Sequence, residues 1–496
     1  MFESAELGHA IDAERYNQEL PRLRRELLEA QLELVEARRF AVIIIIAGMD
    51  GAGKGDTVNV LNEWMDPRHI QTHAPGEPTE TDLARPPMWR YWRALPPKGK
   101  IGIFFDAIYS EAIRDRVYDR IGNSELDQAL ERGNRFEKML VDEGALVLKF
   151  WLHLSEKRQK KRFDKLEKDP ATSWRVNKDD WRNHKHYGKF RQVAERALRQ
   201  TSSAEAPWTI IEGYDARYRE LTLGEALLQA LRQRLAVETV PPQPAVTVPP
   251  LVPRIDELNV LRALDLSLDL DKKDYEEQLA QWQGKLNKLS RKKGFGELSV
   301  VAVFEGNDAA GKGGSIRRVT GALDARRYQV VQVAAPTDEE DDHPYLWRFW
   351  RHLPERGKLV IFDRSWYGRV LVERVEGFCA ETDWMRAYGE INDFEEQLIR
   401  NRTLVVKFWL AIDQDEQLRR FKAREEIPFK NFKITEDDWR NREKWPLYEE
   451  AVCDMVERTS TEIAPWTLVE ANSKRYARVK VLKTLVERIE QALEKD

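Results

Sequence analysis

Slid against itself by 258 positions, the sequence matches without gaps over long stretches, and each copy carries one glycine-rich octapeptide, Gly48–Gly55 (GMDGAGKG) falling on Gly306–Gly313 (GNDAAGKG). The same shift places Trp89–Arg93 on Trp347–Arg351, Lys149–Leu152 (KFWL) on Lys407–Leu410, Asp179–Asn183 (DDWRN) on Asp437–Asn441 and Ala206–Thr209 (APWT) on Ala464–Thr467. A period this long means two whole domains rather than a solenoid of small repeats. Between the copies lies Val240–Pro253, VPPQPAVTVPPLVP, whose prolines lack amide donors and favour extended backbone. The expected division is residues 1–239, a semi-rigid linker 240–253, and residues 254–496.

Composition narrows the class. The chain has 496 residues, 85 acidic against 81 Lys plus Arg, and 16 Trp, 14 Tyr and 18 Phe, which excludes a disordered or fibrous protein. Balanced charge argues against a wholesale nucleic-acid coat, so any anionic partner must be met locally. The strongest apolar run, Phe40–Ala47, is far short of a membrane span and reads as a strand. Met1–Glu6 has neither a basic nor an apolar leader pattern, and Cys379 and Cys453 have no disulfide or zinc spacing. The expectation is a cytoplasmic protein bound to neither nucleic acid nor membrane.

Within each copy short apolar runs alternate with helical periodicity. In the second, a charged helix around Tyr275–Lys293 leads to a strand Leu298–Phe304, then the glycine loop, then a helix from about Gly314. Further strands are expected at Tyr328–Ala334, Lys358–Phe362, Thr403–Leu410 and Trp466–Val469. Such alternation predicts an α/β fold with a parallel sheet covered on both faces.

Gly306–Lys312 fits G-x-x-x-x-G-K, after an expected strand and before an expected helix, the context a phosphate loop requires. Its glycines let backbone N–H groups turn toward phosphate oxygens, the helix N-terminus adds partial positive charge, and Lys312 reaches the terminal phosphates. Gly306, Asn307, Ala310, Gly311, Gly313 and Gly314 are the expected phosphate or nucleotide contacts. The motif's usual Ser/Thr after the lysine is Gly313, and Gly55 in the first copy, so metal binding must lean on carboxylates. Asp308 and Asp50 sit inside the two loops at equivalent positions and are the first candidates, with a turn residue satisfying its own backbone as the alternative. Asp363, at the end of the run Val360–Phe362, supplies a second carboxylate.

Together GNDAAGKGG, LWRFWRHLP (Leu346–Pro354), IFDRSWYGR (Ile361–Arg369) and TSTEIAPW (Thr459–Trp466) resemble the polyphosphate kinase 2 family, in the tandem-domain class associated with polyphosphate-dependent phosphorylation of AMP. The resemblance spans nearly all of 275–490 and, more weakly, 16–235. It implies two tandem P-loop kinase domains like thymidylate kinase, each with a helical lid, and Mg2+ as cofactor. It implies transfer of a terminal phosphoryl group from inorganic polyphosphate to an adenine nucleotide. Residue by residue, the family's loop Asp and Lys fall on Asp308 and Lys312, its strand-end pair on Asp363 and Arg364, and its lid arginine on Arg424. Phosphoryl transfer needs alignment and charge neutralisation more than covalent help. Asp308 and Asp363 therefore suit metal and acceptor positioning, Lys312 the transferring group, and Arg364 and Arg424 the transition state. Arg419, Arg420, Lys422, Arg424, Lys430 and Lys433 would line a basic lid groove for the polymer, against the alternative of a solvated helix face.

The first copy departs at these positions. Asp363, Arg364, Ser365 and Trp366 become Phe105, Asp106, Ala107 and Ile108, and Arg424 becomes Leu166, while Asp50 and Lys54 survive. A one-residue slip would bring Asp106 onto the Asp363 position without restoring the arginine. Residues 1–235 are expected to be catalytically degenerate, serving packing, assembly or polymer binding. Asn177–Asp180 matches the guanine-reading N-K-x-D pattern but lacks a preceding strand, and Thr435 with Asp438 reads as a helix cap. Asp338–Asp342 reads as a solvated loop, and Trp347, Trp350, Trp366, Trp409 and Trp439 as core fillers. His343 and His352 have no metal spacing. An ATP-dependent nucleoside monophosphate kinase and a phosphate-binding scaffold remain as alternatives, as do ADP in place of AMP and a homodimer in place of the pseudo-dimer two fused copies can form.

Overall fold

The structure, a computed structural model, describes residues 1–237, 259–426 and 436–494; the expected linker 240–253 and Lys430, Lys433 and Thr435 lie outside them. Two compact units are present, Met1–Pro78 with Arg90–Gln243 and Asp338–Pro344, and Thr79–Trp89 with Pro244–Thr337 and Tyr345–Asp496.

Each unit is built on one parallel five-stranded sheet. In the first, β1 (Val42–Gly48), β2 (Ile70–His73), β3 (Ile101–Phe105), β4 (Leu146–His153) and β5 (Trp208–Glu212) lie in the order β2-β3-β1-β4-β5. In the second, β6 (Ser299–Gly306), β7 (Tyr328–Gln332), β8 (Leu359–Asp363), β9 (Thr403–Ala411) and β10 (Trp466–Glu470) repeat it as β10-β9-β6-β8-β7. The central strands β1 and β6 are buried from end to end except at their last glycine. That burial is why they read as unbroken apolar runs rather than alternating ones. Helices cover both faces: on one, Leu286 and Leu289 from the helix Lys272–Ser290 and Val481, Leu482 and Leu485 from Lys474–Glu494 pack on Val300, Ala302 and Phe304, and on the other the helix Glu381–Arg400 meets β9 through Glu395 and Lys407.

The repeated KFWL tetrapeptide has a structural reason. Lys407 Nζ, fully buried, donates to Glu395 Oε2 (2.7 Å), Tyr367 Oη (2.9 Å) and the Thr459 carbonyl (2.7 Å). In the first unit Lys149 donates to Glu137 Oε2 (2.6 Å) and the Thr201 carbonyl. A buried ammonium survives only when each proton finds an acceptor, which ties strand, helix and loop together around it.

Asp338–Asp342 is solvated as its charge suggests, with Asp338, Glu339 and Asp341 exposed, but it is not a plain loop. Asp338–Asp341 forms one helical turn, the segment belongs to the first unit, and Lys98 Nζ donates to the Asp341 carbonyl (2.9 Å) while Arg38 pairs with Asp342. His343, buried, is held by the carbonyls of Glu339 (2.6 Å) and Leu95 (3.2 Å). The core role expected for the tryptophans holds for Trp347, Trp350, Trp366 and Trp409, all buried. Asn177 Oδ1 accepts from the Asp179 and Asp180 amides and Asp180 returns to the Asn177 amide, so the N-K-x-D match is a capping box on the helix Lys178–Lys185. Among the described residues no helix is long and apolar enough to cross a membrane, and Cys379 and Cys453 are free thiols.

Candidate functional site

In the second unit β6 runs into the glycine loop, and the helix Lys312–Thr320 leaves it. Gly306 has φ +148°, and a Cβ there would stand 2.4 Å from the Leu410 carbonyl oxygen, so the chain cannot leave the sheet at this point with any other residue. Gly311, at φ +107°, precedes the helix and turns the loop amides inward. Lys312 Nζ donates to the Gly306 carbonyl (2.7 Å), lying across the loop's concavity.

Asp308 is not satisfied by its own turn. Its Oδ1 accepts from Arg364 Nη2 (3.1 Å) and its Oδ2 from Asn441 Nδ2 (2.8 Å). Arg364 follows β8, whose last residue Asp363 pairs in register with Phe304, and its left-handed φ of +66° turns the guanidinium back over the loop. Burial and the Arg364 charge push the Lys312 ammonium below its ordinary range, against the pull of Asp308, Asp363 and Glu305. A lysine held beside an arginine is a site suited to a polyanion.

Three further residues come to this site that the motifs did not name. Glu305, buried at the end of β6, accepts from Ser365 Oγ (2.8 Å), and burial raises its carboxyl to about 7. Asn441, in the repeated DDWRN, also accepts from Tyr448 Oη (3.1 Å), and Tyr448 reaches Glu376 (3.3 Å), which pairs with Arg440 and Lys444. Arg478 Nη2 lies 3.3 Å from where a Cβ on Gly314 would stand, at the start of the loop helix. The signal for Asn441 was its survival in both copies; for Glu305 and Arg478 it was their change to Ala47 and Glu220 in the first. The cleft is lined by Glu305, Gly306, Asp308, Lys312, Arg364 and Asn441, with Trp409, Trp445 and Tyr448 as its aromatic wall.

Arg420, expected in the polymer groove, is corrected by the structure. It is buried, pairs with Glu416, and donates to the carbonyls of Ala309 (2.9 Å), Ala310 (3.0 Å), Ala471 (2.7 Å) and Asn472 (2.8 Å). Its donors are spent bracing the loop from behind. Arg419 is exposed and pairs with Glu416 (2.6 Å), Lys422 is exposed, and Arg424 is half-buried in the last turn of the helix Gln414–Glu425. Among the described residues Arg424 touches neither Asp308 nor Lys312.

The first unit repeats the scaffold with another charge pattern. Register pairs Ile46 with Phe105 as Phe304 pairs with Asp363, so there is no slip. Asp106 occupies the Arg364 position with φ +47°, and its carboxylate sits 2.7 Å from Lys54 Nζ. Burial opposes the charge on Lys54, but Asp106 and Asp50 outweigh it and raise the ammonium above its ordinary range, opposite to Lys312. Asn183 Nδ2 still donates to Asp50 (2.7 Å). Asp56, at the Gly314 position, pairs with Arg162 and Arg175 (both 3.3 Å), and Arg219 braces the loop through the Ala52 carbonyl (3.5 Å).

A strand, a glycine loop with its lysine and a helix leaving it define a P-loop phosphotransferase scaffold, present in tandem, and the second unit adds an acid–arginine pair at the neighbouring strand end. The family model of polyphosphate kinase 2 matches residues 10–238 and 269–496, and the chain belongs to that family. It is 58% identical to a polyphosphate:AMP phosphotransferase of Pseudomonas aeruginosa over 100% of both chains, and 37% identical to one of Acinetobacter johnsonii over 94% of this chain and 95% of that one. A crystal structure described as a putative polyphosphate kinase 2 from Pseudomonas aeruginosa superposes with a TM-score of 0.90 and 55% identity, covering 100% of both chains.

Proposed function

We propose that the protein transfers the terminal phosphoryl group of inorganic polyphosphate to AMP, giving ADP, and does so in its second unit. The observation that carries the assignment to that unit is the cluster Asp308–Arg364–Asn441 over Lys312, whose first-unit counterpart is closed by Asp106. Full-length identity to proteins named for the AMP reaction supports the acceptor.

Asp308 and Asp363 present hard carboxylate oxygens at the loop, a donor set suited to Mg2+, which takes one or two carboxylates and completes its shell with water and phosphate. Held by these two carboxylates, Mg2+ would supply neutralisation of phosphate charge. Lys312 and Arg364 hold the transferring group and its developing charge, and Asn441 fixes Asp308. Once the lid closes, Arg424 is the further cation; Arg419, Lys422, Lys430 and Lys433 remain the groove candidates, without Arg420. The functional division follows residues 1–239 and 254–496, with the protein working in the cytoplasm.

Purified protein with Mg2+ and polyphosphate, free of ATP, should form ADP from AMP, and Asp363→Asn should abolish it. Product from ADP but not from AMP would shift the acceptor. Activity appearing only on adding ATP would leave an ordinary nucleotide kinase, and none under any donor a scaffold.

A further inference from the structure

Among the described helices Glu156–Lys168, the first unit's counterpart of Gln414–Glu425, carries the largest excess of basic over acidic residues, in a chain of net charge −4. It carries seven basic residues against three acidic ones, whereas its counterpart Gln414–Glu425 carries four against three. At 100° per residue Lys157, Lys160, Lys161, Lys165 and Lys168 fall within about 140° of arc, opposite the buried Gln159 and Phe163. All five lysines are exposed, and among the described residues none makes an ion pair; Asp164 is the acidic side chain sharing their arc. The helix's arginines are spent inward, Arg158 on Glu212 and Arg162 on Asp56. Gln159 Nε2 ties the helix to the Asp50 carbonyl (2.9 Å).

Like charges on one helix face repel unless something anionic lies across them. A surface helix with balanced pairs would be solvated as well at no such cost, and the second unit's helix approaches that state. We infer that the lysine stripe of the first unit is an accessory docking surface for the inorganic polyphosphate chain, separate from its phosphate loop, which Asp106 and Asp56 neutralise from within. The inference rests on polyphosphate being the donor. Charge complementarity names the occupant: a flexible linear polyanion with no bases needs a row of ammonium groups and no aromatic stacking, and the stripe offers that row. Chains long enough to reach both the stripe and the second unit's loop gain from double attachment, whereas short oligomers do not.

The test uses the full chain with Lys157, Lys161, Lys165 and Lys168 changed together to Gln and, separately, to Glu. Binding of end-labelled long-chain polyphosphate is followed with salt, and KM is measured for long-chain polyphosphate and for a short oligomer. Several exposed charges, each worth up to a few-fold, predict an affinity loss of about tenfold in the Gln variant and more in the Glu variant, with a shallower salt dependence. The ratio of long-chain to short-chain KM should rise accordingly. The Gln variant carries the test should the Glu variant misfold, circular dichroism deciding. Unchanged long-chain binding and an unchanged KM ratio in a well-folded variant overturn the inference. So does equal loss of duplex DNA binding, which would mark a general polyanion face. Failure of the wild type to form ADP from polyphosphate would instead sink the donor assignment, and the binding measurement would still decide the stripe.

Discussion

Lys54 and Lys312 occupy the same place in the two loops, yet their removal should fail in opposite ways. Lys54 Nζ lies 2.7 Å from Asp106 and 3.5 Å from Asp50, with the three side chains 10%, 23% and 29% exposed. Lys54→Ala leaves two carboxylates facing each other without a cation. Removing one partner of a fully buried pair costs about 3–5 kcal/mol; with both carboxylates about a quarter wet, roughly half of that, about 2 kcal/mol, is expected. For a unit of this size each kcal/mol shifts the transition by about 2–4 °C, so the first unit should melt some 4–8 °C lower. Asp106 and Asp50 hold the folded pKa of Lys54 above that of the unfolded chain, so its contribution is full throughout pH 6–9 and is lost only in strong alkali. The deficit should therefore be flat across neutral pH. Lys312→Ala instead removes an ammonium that burial and Arg364 already disfavour, so stability should change by at most about 1 kcal/mol. Its loss from the transition state should cost about 10²–10³ in turnover, in the range of one preorganised charge-stabilising donor. Scanning calorimetry and polyphosphate-dependent ADP formation on both variants make the comparison. Equal losses of turnover, or a larger melting shift for Lys312→Ala, would refute the reasoning.

Asn441→Ala should release Asp308 from one of its two anchors and lower turnover by about tenfold or more with little change in melting, since Asn441 is partly exposed; unchanged kinetics would remove it from the site. Arg420→Met should destabilise the second unit by about 3 kcal/mol by stripping four carbonyls of their donor, and a variant that melts like wild type would contradict a bracing role. Glu305 has its carboxyl raised from 4.5 to about 7, so the folded state holds the proton more tightly than the unfolded chain, and stability contributed by the neutral form drains away as pH rises from about 5 to 7.5. At about 1.4 kcal/mol per unit, Glu305→Gln should gain about 3 kcal/mol relative to wild type between pH 5 and pH 8; a pH-independent difference in unfolding free energy would exclude this.

Strands and loops were legible because a parallel sheet writes itself as apolar runs and a phosphate loop as glycines. β6 to β10 fall within two residues of the expected positions. The helical turn at Asp338–Asp341 was not legible, because its partner Lys98 lies some 240 residues away in the chain, although acidic composition did point its side chains to water. Arg420 was misread for a related reason. A run of basic residues on a lid helix says nothing of which side faces in, and Arg420 sits with Phe421 and Gln417 on the buried side while Arg419 faces out. Asn441 carried its signal openly in both copies, but an asparagine in DDWRN has no chemistry until the fold brings it to Asp308.

What the two units share and what separates them follow different physics. The sheet order, the buried lysine with its glutamate, and the asparagine on the loop carboxylate recur, and each answers a demand of packing or of a buried polar group that must be paired. Even the brace behind the loop is kept, though it comes from Arg420 in one unit and Arg219 in the other, since backbone carbonyls accept a guanidinium from any direction the helices allow. The differences fall around the loop: Arg364, Gly314 and Arg478 stand against Asp106, Asp56 and Glu220, and Asp363 and Glu305 against Phe105 and Ala47. The first three put a carboxylate where the second unit has a cation or open backbone, and the last two remove one. Lys54, Arg162 and Arg175 then find partners inside the protein. A loop lysine neutralised in this way has no deficit for phosphate to fill, whereas Lys312 beside Arg364 does. The two units thus differ in charge around the loop while keeping one fold, at a strand end and on two helices.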